Sequence, residues 1–178
     1  MMRKLPGMIL IVVVLTVSGE NAAARGVYQA PEDFLSETFG GTDPESHVVW
    51  MTPDLKARVA AVLGHPPNAM RIRYWRLGPR TAWVVEEIGK EKPITTGIVV
   101  NDNQIERIKI LVFRESRGWE VRHDFFTDQF HGATLNGRAE LDRSIDGISG
   151  ATMSVSAVTR LARMVLLLDQ QVDADVEG

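Results

Sequence analysis

Cysteine is absent from this chain of 178 residues. Without cysteine side chains the chain has no ligands for an iron–sulfur cluster and no thiol chemistry. A lipid anchor on a cysteine behind an export signal is excluded for the same reason. Any redox centre must therefore be a cofactor taken up from outside, and the lack of cysteine suits an oxidising compartment.

Other chemical signatures are missing as well. No two histidines stand four residues apart, which argues against a helical zinc site. No Gly-x-Gly-x-x-Gly pattern and no P-loop occur, so nucleotide binding of those kinds is not indicated. The net charge is −3 and no basic patch is interleaved with aromatic residues, so we expect no nucleic-acid partner.

The first residues have the pattern of an export signal. Arg3 and Lys4 precede an apolar run over 8–17, and Ala22-Ala23-Ala24 matches the small-residue cleavage site. The run is shorter than the roughly 20 residues that a permanent membrane helix needs. We therefore predict a signal peptide over 1–24, cleaved after Ala24, with an uncleaved membrane anchor as the alternative.

The remaining residues, 25–178, are expected to form one domain, because 44% of the chain is hydrophobic. Its N-terminal part, 25–68, has two helix signals. The first covers 31–39, and the second begins with Thr52 as N-cap and Pro53 in the first helical position. Gly64 is suited to end that helix.

From residue 69 onward, apolar residues alternate with a period of two, which predicts strands. The order of helices, strands, a loop and a last helix favours an α+β fold. We expect an antiparallel sheet with N-terminal helices and a C-terminal helix packed on the sheet. A short helix is expected around 127–132. The predicted strands span 70–77, 81–88, 94–100 and 105–113.

The most informative stretch lies before the last helix, which the apolar periodicity places over 155–168. Asp146 and Ser149 are suitable N-cap residues, and glycines give the turn conformational freedom. Thr152 would then lie in or next to the first helical turn, where free N–H groups and the helix dipole favour a phosphate. The stretch reads Asp146-Gly147-Ile148-Ser149-Gly150-Ala151-Thr152-Met153-Ser154.

This stretch resembles the flavinylation motif of the FMN-binding domain family, Asp-(Gly/Ala)-x-(Ser/Thr)-Gly-Ala-Thr-x-(Ser/Thr). The family includes periplasmic flavin subunits of the sodium-pumping quinone reductase and of the related ferredoxin-oxidising membrane complex. The resemblance implies that Thr152 binds FMN covalently through a phosphoester bond. A Mg-dependent flavin transferase with FAD as donor would form that bond. The other cofactor-binding positions implied are Asp146, Gly147, Ser149, Gly150, Ala151, Met153 and Ser154.

Weaker similarities extend over about 70–170, making 69–178 the expected flavin-binding core. Residues 106–112 resemble a strand of the family, and 126–132 resemble its Phe…Gln-Phe-x-Gly segment. The loop 114–119 lies where many members have Glu-Thr-Pro-Gly, but here Ser and Arg stand between the Glu and the Gly. The expected flavin contacts in this loop are ring hydrogen bonds from Glu115 and Arg117, the shared Gly118, and stacking by Trp119.

Two competing interpretations of the small-residue turns are weaker. His131-Gly132-Ala133-Thr134 repeats Gly-Ala-Thr, but lacks the preceding Asp and Ser/Thr and any following apolar helix. The segment 147–151 is similar to the nucleophile elbow of serine hydrolases, but Ala151 replaces the last glycine and no clear strand precedes it.

The expected function is therefore that of an exported, periplasmic electron-transfer flavoprotein, a redox carrier or subunit and not a stand-alone enzyme. It would relay electrons between a membrane redox protein and another partner, since the flavin supplies the chemistry and the protein positions it. Two alternatives stay open. One is an FMN-binding, sensory or assembly module without turnover, and the other is a small flavin-dependent reductase.

Overall fold

The structure is a computed structural model that describes residues 26–177. The predicted signal peptide and its cleavage site lie outside the described residues. Within residues 26–177, none of the helices combines the length and the apolar character that crossing a membrane requires.

A five-stranded antiparallel sheet forms the centre of the fold, in the order β1-β2-β3-β4-β5. Together with its helices it confirms the predicted α+β class. Four strands match the predicted ones to within one residue at each end. The strands are β1 Glu45–Trp50, β2 Arg71–Leu77, β3 Arg80–Ile88, β4 Pro93–Asn101 and β5 Gln104–Phe113.

Strand β1 was not predicted. It lies in the part of the chain for which only helices were expected, and it pairs with β2 from Glu45↔Arg76 to Trp50↔Arg71. Only Val49 is buried in β1, so the strand lacks the apolar alternation by which a strand is recognised. Its position at the edge of the sheet explains why one buried residue is enough.

Within residues 26–177, four α-helices accompany the sheet. Helix α2 has the predicted caps: the Thr52 hydroxyl accepts the N–H of Leu55, and Gly64 is left-handed with a φ of 80°. The short helix expected around 127–132 begins earlier, as α3 followed by a 3-10 turn over Asp128–Phe130. The helices are α1 Pro31–Thr38, α2 Pro53–Leu63, α3 Asp124–Thr127 and α4 Thr152–Glu177.

Helix α4 is packed between the sheet and α2, and the large hydrophobic core lies there. The residues of its predicted apolar periodicity are fully buried except Val155, which is half-buried; the buried ones are Val158, Leu161, Ala162, Val165 and Leu168. The helix is longer than predicted at both ends, because it starts at Thr152 and continues to Glu177. Its N-terminal turn lies next to the loop after β5, where Ser154 meets Gly118.

A smaller core lies on the opposite face of the sheet, under α1. The ring of Phe34 is fully buried there and lies over Gly97 of β4, where a Cβ atom would come within 2.6 Å of the ring. Burying such a ring contributes about 2–3 kcal/mol. Both faces of the sheet are therefore covered around β4, which makes the sheet a rigid support for the loops at its ends.

Candidate functional site

Thr152 is the first residue of α4, and its side chain is exposed. The first backbone hydrogen bond described for the helix is donated by the N–H of Val155 to the carbonyl of Ala151, at 3.0 Å. The N–H groups of residues 152–154 precede that bond and have no acceptor among the described residues. An accessible hydroxyl thus lies beside three N–H groups at the positive end of a helix of 26 residues.

The expected N-caps are wrong, because the helix starts later than Asp146 or Ser149 would require. Ala151 occupies the N-cap position and is buried, with 2% of its surface exposed. Its own N–H donates to the carbonyl of Ile148, and the preceding Gly150 has a φ of 81°. A tight turn therefore leads into α4, and no side chain of the described residues accepts the first-turn N–H groups.

A cleft of about 340 Å³ opens in front of Thr152. Three segments form its walls: the β3–β4 turn, the loop after β5 and the start of α4. Seven of the residues predicted for the site are among its lining. The cleft is lined by Lys90, Glu91, Glu115, Ser116, Arg117, Gly150, Ala151, Thr152, Met153 and Ser154.

Gly118 joins the loop after β5 to the start of α4. Its φ is 85°, and a Cβ atom at this position would lie 2.5 Å from the Ser154 hydroxyl and 3.5 Å from Cα of Ala151. Only glycine accommodates both the left-handed backbone and this close approach. Ser154 is buried at the contact, so the loop and the helix turn are packed directly on each other.

Glu115 holds the β3–β4 turn in place, and this turn forms one wall of the cleft. Its Oε1 accepts the N–H groups of Lys90, Glu91 and Lys92 at 2.5, 2.6 and 2.9 Å. Burial raises the pKa of the Glu115 carboxyl, but the three N–H groups and the charge of Lys90 outweigh it, and the pKa is lowered from 4.5. Glu115 is thus ionised and acts as an acceptor for the β3–β4 turn. A hydrogen bond between Glu115 and a flavin ring stays a prediction.

Comparison with protein families bears on the same region. Residues 89–166 match the model of the FMN-binding domain family. This segment belongs to the FMN-binding domain family. The match begins in the β3–β4 turn and ends within α4, so it includes all three walls of the cleft. None of the curated proteins compared with the chain matches it.

The match supports a flavin-binding protein with FMN as its flavin. The described residues fit that cofactor. A cleft of about 340 Å³ is within the usual range of roughly 300–1,000 Å³ for small-molecule sites. The three N–H groups at the start of α4 suit the phosphate group of FMN. Lys90 and Arg117 at the cleft balance the charges of Glu91 and Glu115.

The remaining predicted site residues lie outside the lining of the cleft. Asp146, Gly147 and Ser149 are exposed in the segment that leads to α4, and the N–H of Asp146 donates to the side chain of Gln129 at 2.7 Å. Trp119 follows Gly118, with 43% of its surface exposed. Whether these four residues contact FMN stays a prediction.

Sequence reasoning missed Lys90, Glu91 and Ser116 as lining residues of the cleft. Ser116 stands in the loop that was already singled out, where the family has a different residue. Lys90 and Glu91 belong to a short charged turn with no pattern of its own. The hydrogen bonds from that turn to Glu115 connect it to the site.

A second cavity, of about 470 Å³, lies elsewhere, between the first half of β2 and the second half of β3. Its most polar feature is the buried carboxylate of Glu87, which contacts the ring of His65 at 3.1 Å. The bond of the ring to the Pro66 carbonyl, opposed by burial and helped by Glu87, raises the pKa of His65. No predicted site residue lines this cavity. The described residues also contain no cluster of metal ligands.

Proposed function

We propose that Thr152 binds FMN covalently, through a phosphoester bond to its side-chain oxygen. The observation behind this proposal is the exposed hydroxyl of Thr152 at the N-terminus of α4, facing the cleft. The bond would keep the flavin attached in a compartment with little free flavin. The motif around Thr152 supports the same residue.

The attachment reaction is a transfer from FAD by a Mg-dependent flavin transferase. The Thr152 oxygen forms a bond to the phosphorus on the FMN side of the pyrophosphate, and the bond from that phosphorus to the bridging oxygen breaks. AMP leaves with the bridging oxygen, and the hydroxyl proton is released. The chain gains the mass of FMN less one water, and no electron is transferred.

The chain's own residues would hold the attached phosphate. The N–H groups of residues 152–154 and the helix dipole favour the negative charge of a phosphodiester. Lys90 and Arg117 at the cleft contribute long cationic side chains. Glu115 keeps the β3–β4 turn in place, so its role is to position Lys90 and not to bind the phosphate.

We further propose that the protein is exported to the periplasm, cleaved after Ala24, and relays electrons between a membrane redox protein and a second partner. Bound FMN supplies the redox chemistry. The alternatives are a reductase and a module without turnover. The donors that reduce the flavin distinguish these two functions from a relay.

The test of attachment is the intact mass and in-gel flavin fluorescence of the protein co-expressed with a flavin transferase. We expect an adduct of FMN less one water that survives denaturation and is lost in Thr152→Ala. Thr134→Ala is the matched control, because it changes the other Gly-Ala-Thr and should leave the adduct intact. An unmodified wild-type chain, or an adduct lost only in Thr134→Ala, would contradict the proposal.

The test of relay function uses the flavin-loaded protein without oxygen. Washed membranes of the organism that encodes the chain should reduce the flavin, whereas a soluble donor alone should not sustain turnover. Turnover with a soluble donor and acceptor would favour the reductase. A flavin that no membrane preparation reduces would favour the module.

A further inference from the structure

Five side chains form a continuous exposed patch next to the cleft: Tyr28, Trp119, Arg122, His123 and Phe125, called here the aromatic patch. The rings of Trp119 and His123 are 5.5 Å apart, and those of His123 and Phe125 are 6.0 Å apart. The Arg122 guanidinium lies 4.6 Å from the centre of the Tyr28 ring and 4.9 Å from that of Trp119.

Packing inside the domain does not account for these rings. Tyr28, Trp119 and Phe125 expose 39%, 43% and 62% of their surfaces, and none belongs to either hydrophobic core. Exposed apolar side chains are ordinary when scattered but indicate an interaction site when they form one patch. Aromatic residues and arginine are also the types enriched in protein interfaces.

The aromatic patch borders the flavin cleft. Trp119 directly follows Gly118, where an added Cβ atom would lie 2.5 Å from the Ser154 hydroxyl in the cleft wall. On the other side, Met153 lines the cleft and is 50% exposed. A molecule seated on the patch would therefore lie beside the mouth of the cleft, which is where an electron donor or acceptor must approach.

The chemistry of the patch selects a protein as the occupant. Arg122 has no ion pair with any acidic residue in residues 26–177 and is held between two rings, so its guanidinium is placed to meet a carboxylate of another molecule. Exposed Asp124 and Asp128 lie in the same segment and would repel an anionic bilayer. A protein surface with an apolar centre and mixed charges around it suits both features.

We propose that the aromatic patch is the docking surface for the protein that exchanges electrons with the flavin, a partner with an apolar spot and a carboxylate opposite Arg122. This inference rests on the proposed relay function. It adds a place and a chemistry for the partner, which neither the motif nor the family match supplies.

The test compares Phe125→Ala and Arg122→Glu with Trp50→Ala. Trp50 is the matched control, because it is 62% exposed and has the Arg71 guanidinium 5.6 Å from its ring, but lies on β1 at the opposite edge of the sheet from β5. All variants are first shown to have wild-type flavin fluorescence and melting temperature. The measured quantity is the second-order rate at which washed membranes reduce the bound flavin without oxygen.

We expect Phe125→Ala and Arg122→Glu each to lower that rate about tenfold, as loss of a central interface residue does. Trp50→Ala should not lower it, and dithionite should reduce every variant equally. If the patch variants react with membranes as the wild type does, or if Trp50→Ala slows as much, the docking assignment is wrong while the relay function stands. If membranes never reduce the wild-type flavin, the relay function fails and the docking assignment fails with it.

Binding to lipid vesicles tests whether the aromatic patch contacts the bilayer instead of a protein. If the patch variants also lose binding to protein-free vesicles of the extracted lipids, the patch contacts the bilayer, and the assignment to a protein partner is wrong. Equal vesicle binding by all variants, together with the slower reduction, supports the protein partner.

Discussion

The chain contains Gly-Ala-Thr twice, at 132–134 and at 150–152, and the two segments have nearly the same local structure. The glycine is left-handed in both, with a φ of 72° and of 81°. The alanine is buried in both, and its N–H donates to the carbonyl three residues earlier. The turn of the tripeptide therefore does not distinguish a flavin attachment site from an ordinary turn.

The surroundings of the two threonines differ. The N–H of Thr134 donates to the Asp142 carboxylate at 3.3 Å, and its carbonyl accepts the N–H of Asp142 at 3.0 Å. Thr152 begins α4 and faces the cleft instead. A carboxylate beside Thr134 repels a phosphate, whereas free N–H groups beside Thr152 attract one. The neighbouring structure, and not the turn itself, therefore distinguishes the two threonines.

The largest effect is expected from a substitution that disrupts the contact between the loop after β5 and the first turn of α4. Gly118→Ala adds a Cβ atom that meets the Ser154 hydroxyl in a left-handed backbone, and we expect the free energy of unfolding to fall by about 3 kcal/mol from strain and overpacking together. Flavin attachment to Thr152 should fall too. Urea denaturation and intact mass measure the two effects.

The control is Gly132→Ala, in the other Gly-Ala-Thr. Its φ is 72°, but the nearest atom to an added Cβ is the Arg143 side chain at 3.9 Å, so only the backbone strain of about 1 kcal/mol applies. Attachment should be unchanged. Equal losses of stability in the two variants would show that the contact between Gly118 and Ser154 is not close in solution.

A smaller effect is expected from replacing Glu115, whose carboxylate holds the β3–β4 turn at the cleft. Glu115→Gln weakens three hydrogen bonds to the β3–β4 turn and should lower the free energy of unfolding by about 1 kcal/mol. Because Lys90 then loses its fixed place, attachment should also fall. Asp142→Asn is the matched control, since it removes the charge beside Thr134 and should leave attachment unchanged.

The pH dependence of stability checks the same two carboxylates. The pKa of Glu115 is lowered in the folded state, so its stabilising contribution is present above about pH 4.5 and is lost as the pH falls through the folded pKa. The Arg143 guanidinium lowers the pKa of the Asp142 carboxyl. The stabilising contribution of Asp142 is therefore also lost as the pH falls. Each variant should therefore flatten the acid limb of the unfolding curve. A wild-type acid limb in Glu115→Gln would contradict its assigned role.

The smallest effect on stability is expected before α4. Asp146 and Ser149 are exposed and do not cap the helix, so Asp146→Ala and Ser149→Ala should change the free energy of unfolding by less than about 0.5 kcal/mol. The motif positions predict a lower yield of flavin attachment nevertheless. Wild-type yield in both variants would mean that the transferase does not recognise these two residues.

Local patterns in the sequence were sufficient for much of this protein. Four of the five strands, the caps of α2 and the turn before α4 were predicted, because alternation, capping and left-handed glycine depend on residues close together in the chain. The motif also predicts Thr152, and not Thr134, as the residue that binds FMN, and this stays a prediction. Strand β1 was missed because it has only one buried residue, and the pattern of its own sequence therefore did not indicate a strand that pairs with β2.

Only the tertiary structure decided how the cleft is built. The antiparallel pairing of Ile94 with Phe113 brings the β3–β4 turn beside the loop after β5, and Glu115 then meets a turn that lies 23–25 residues earlier. The exposed rings around Arg122 likewise come from separate segments. Contacts of this kind depend on the register of the sheet and the packing of α4, and so no window of the sequence contains them.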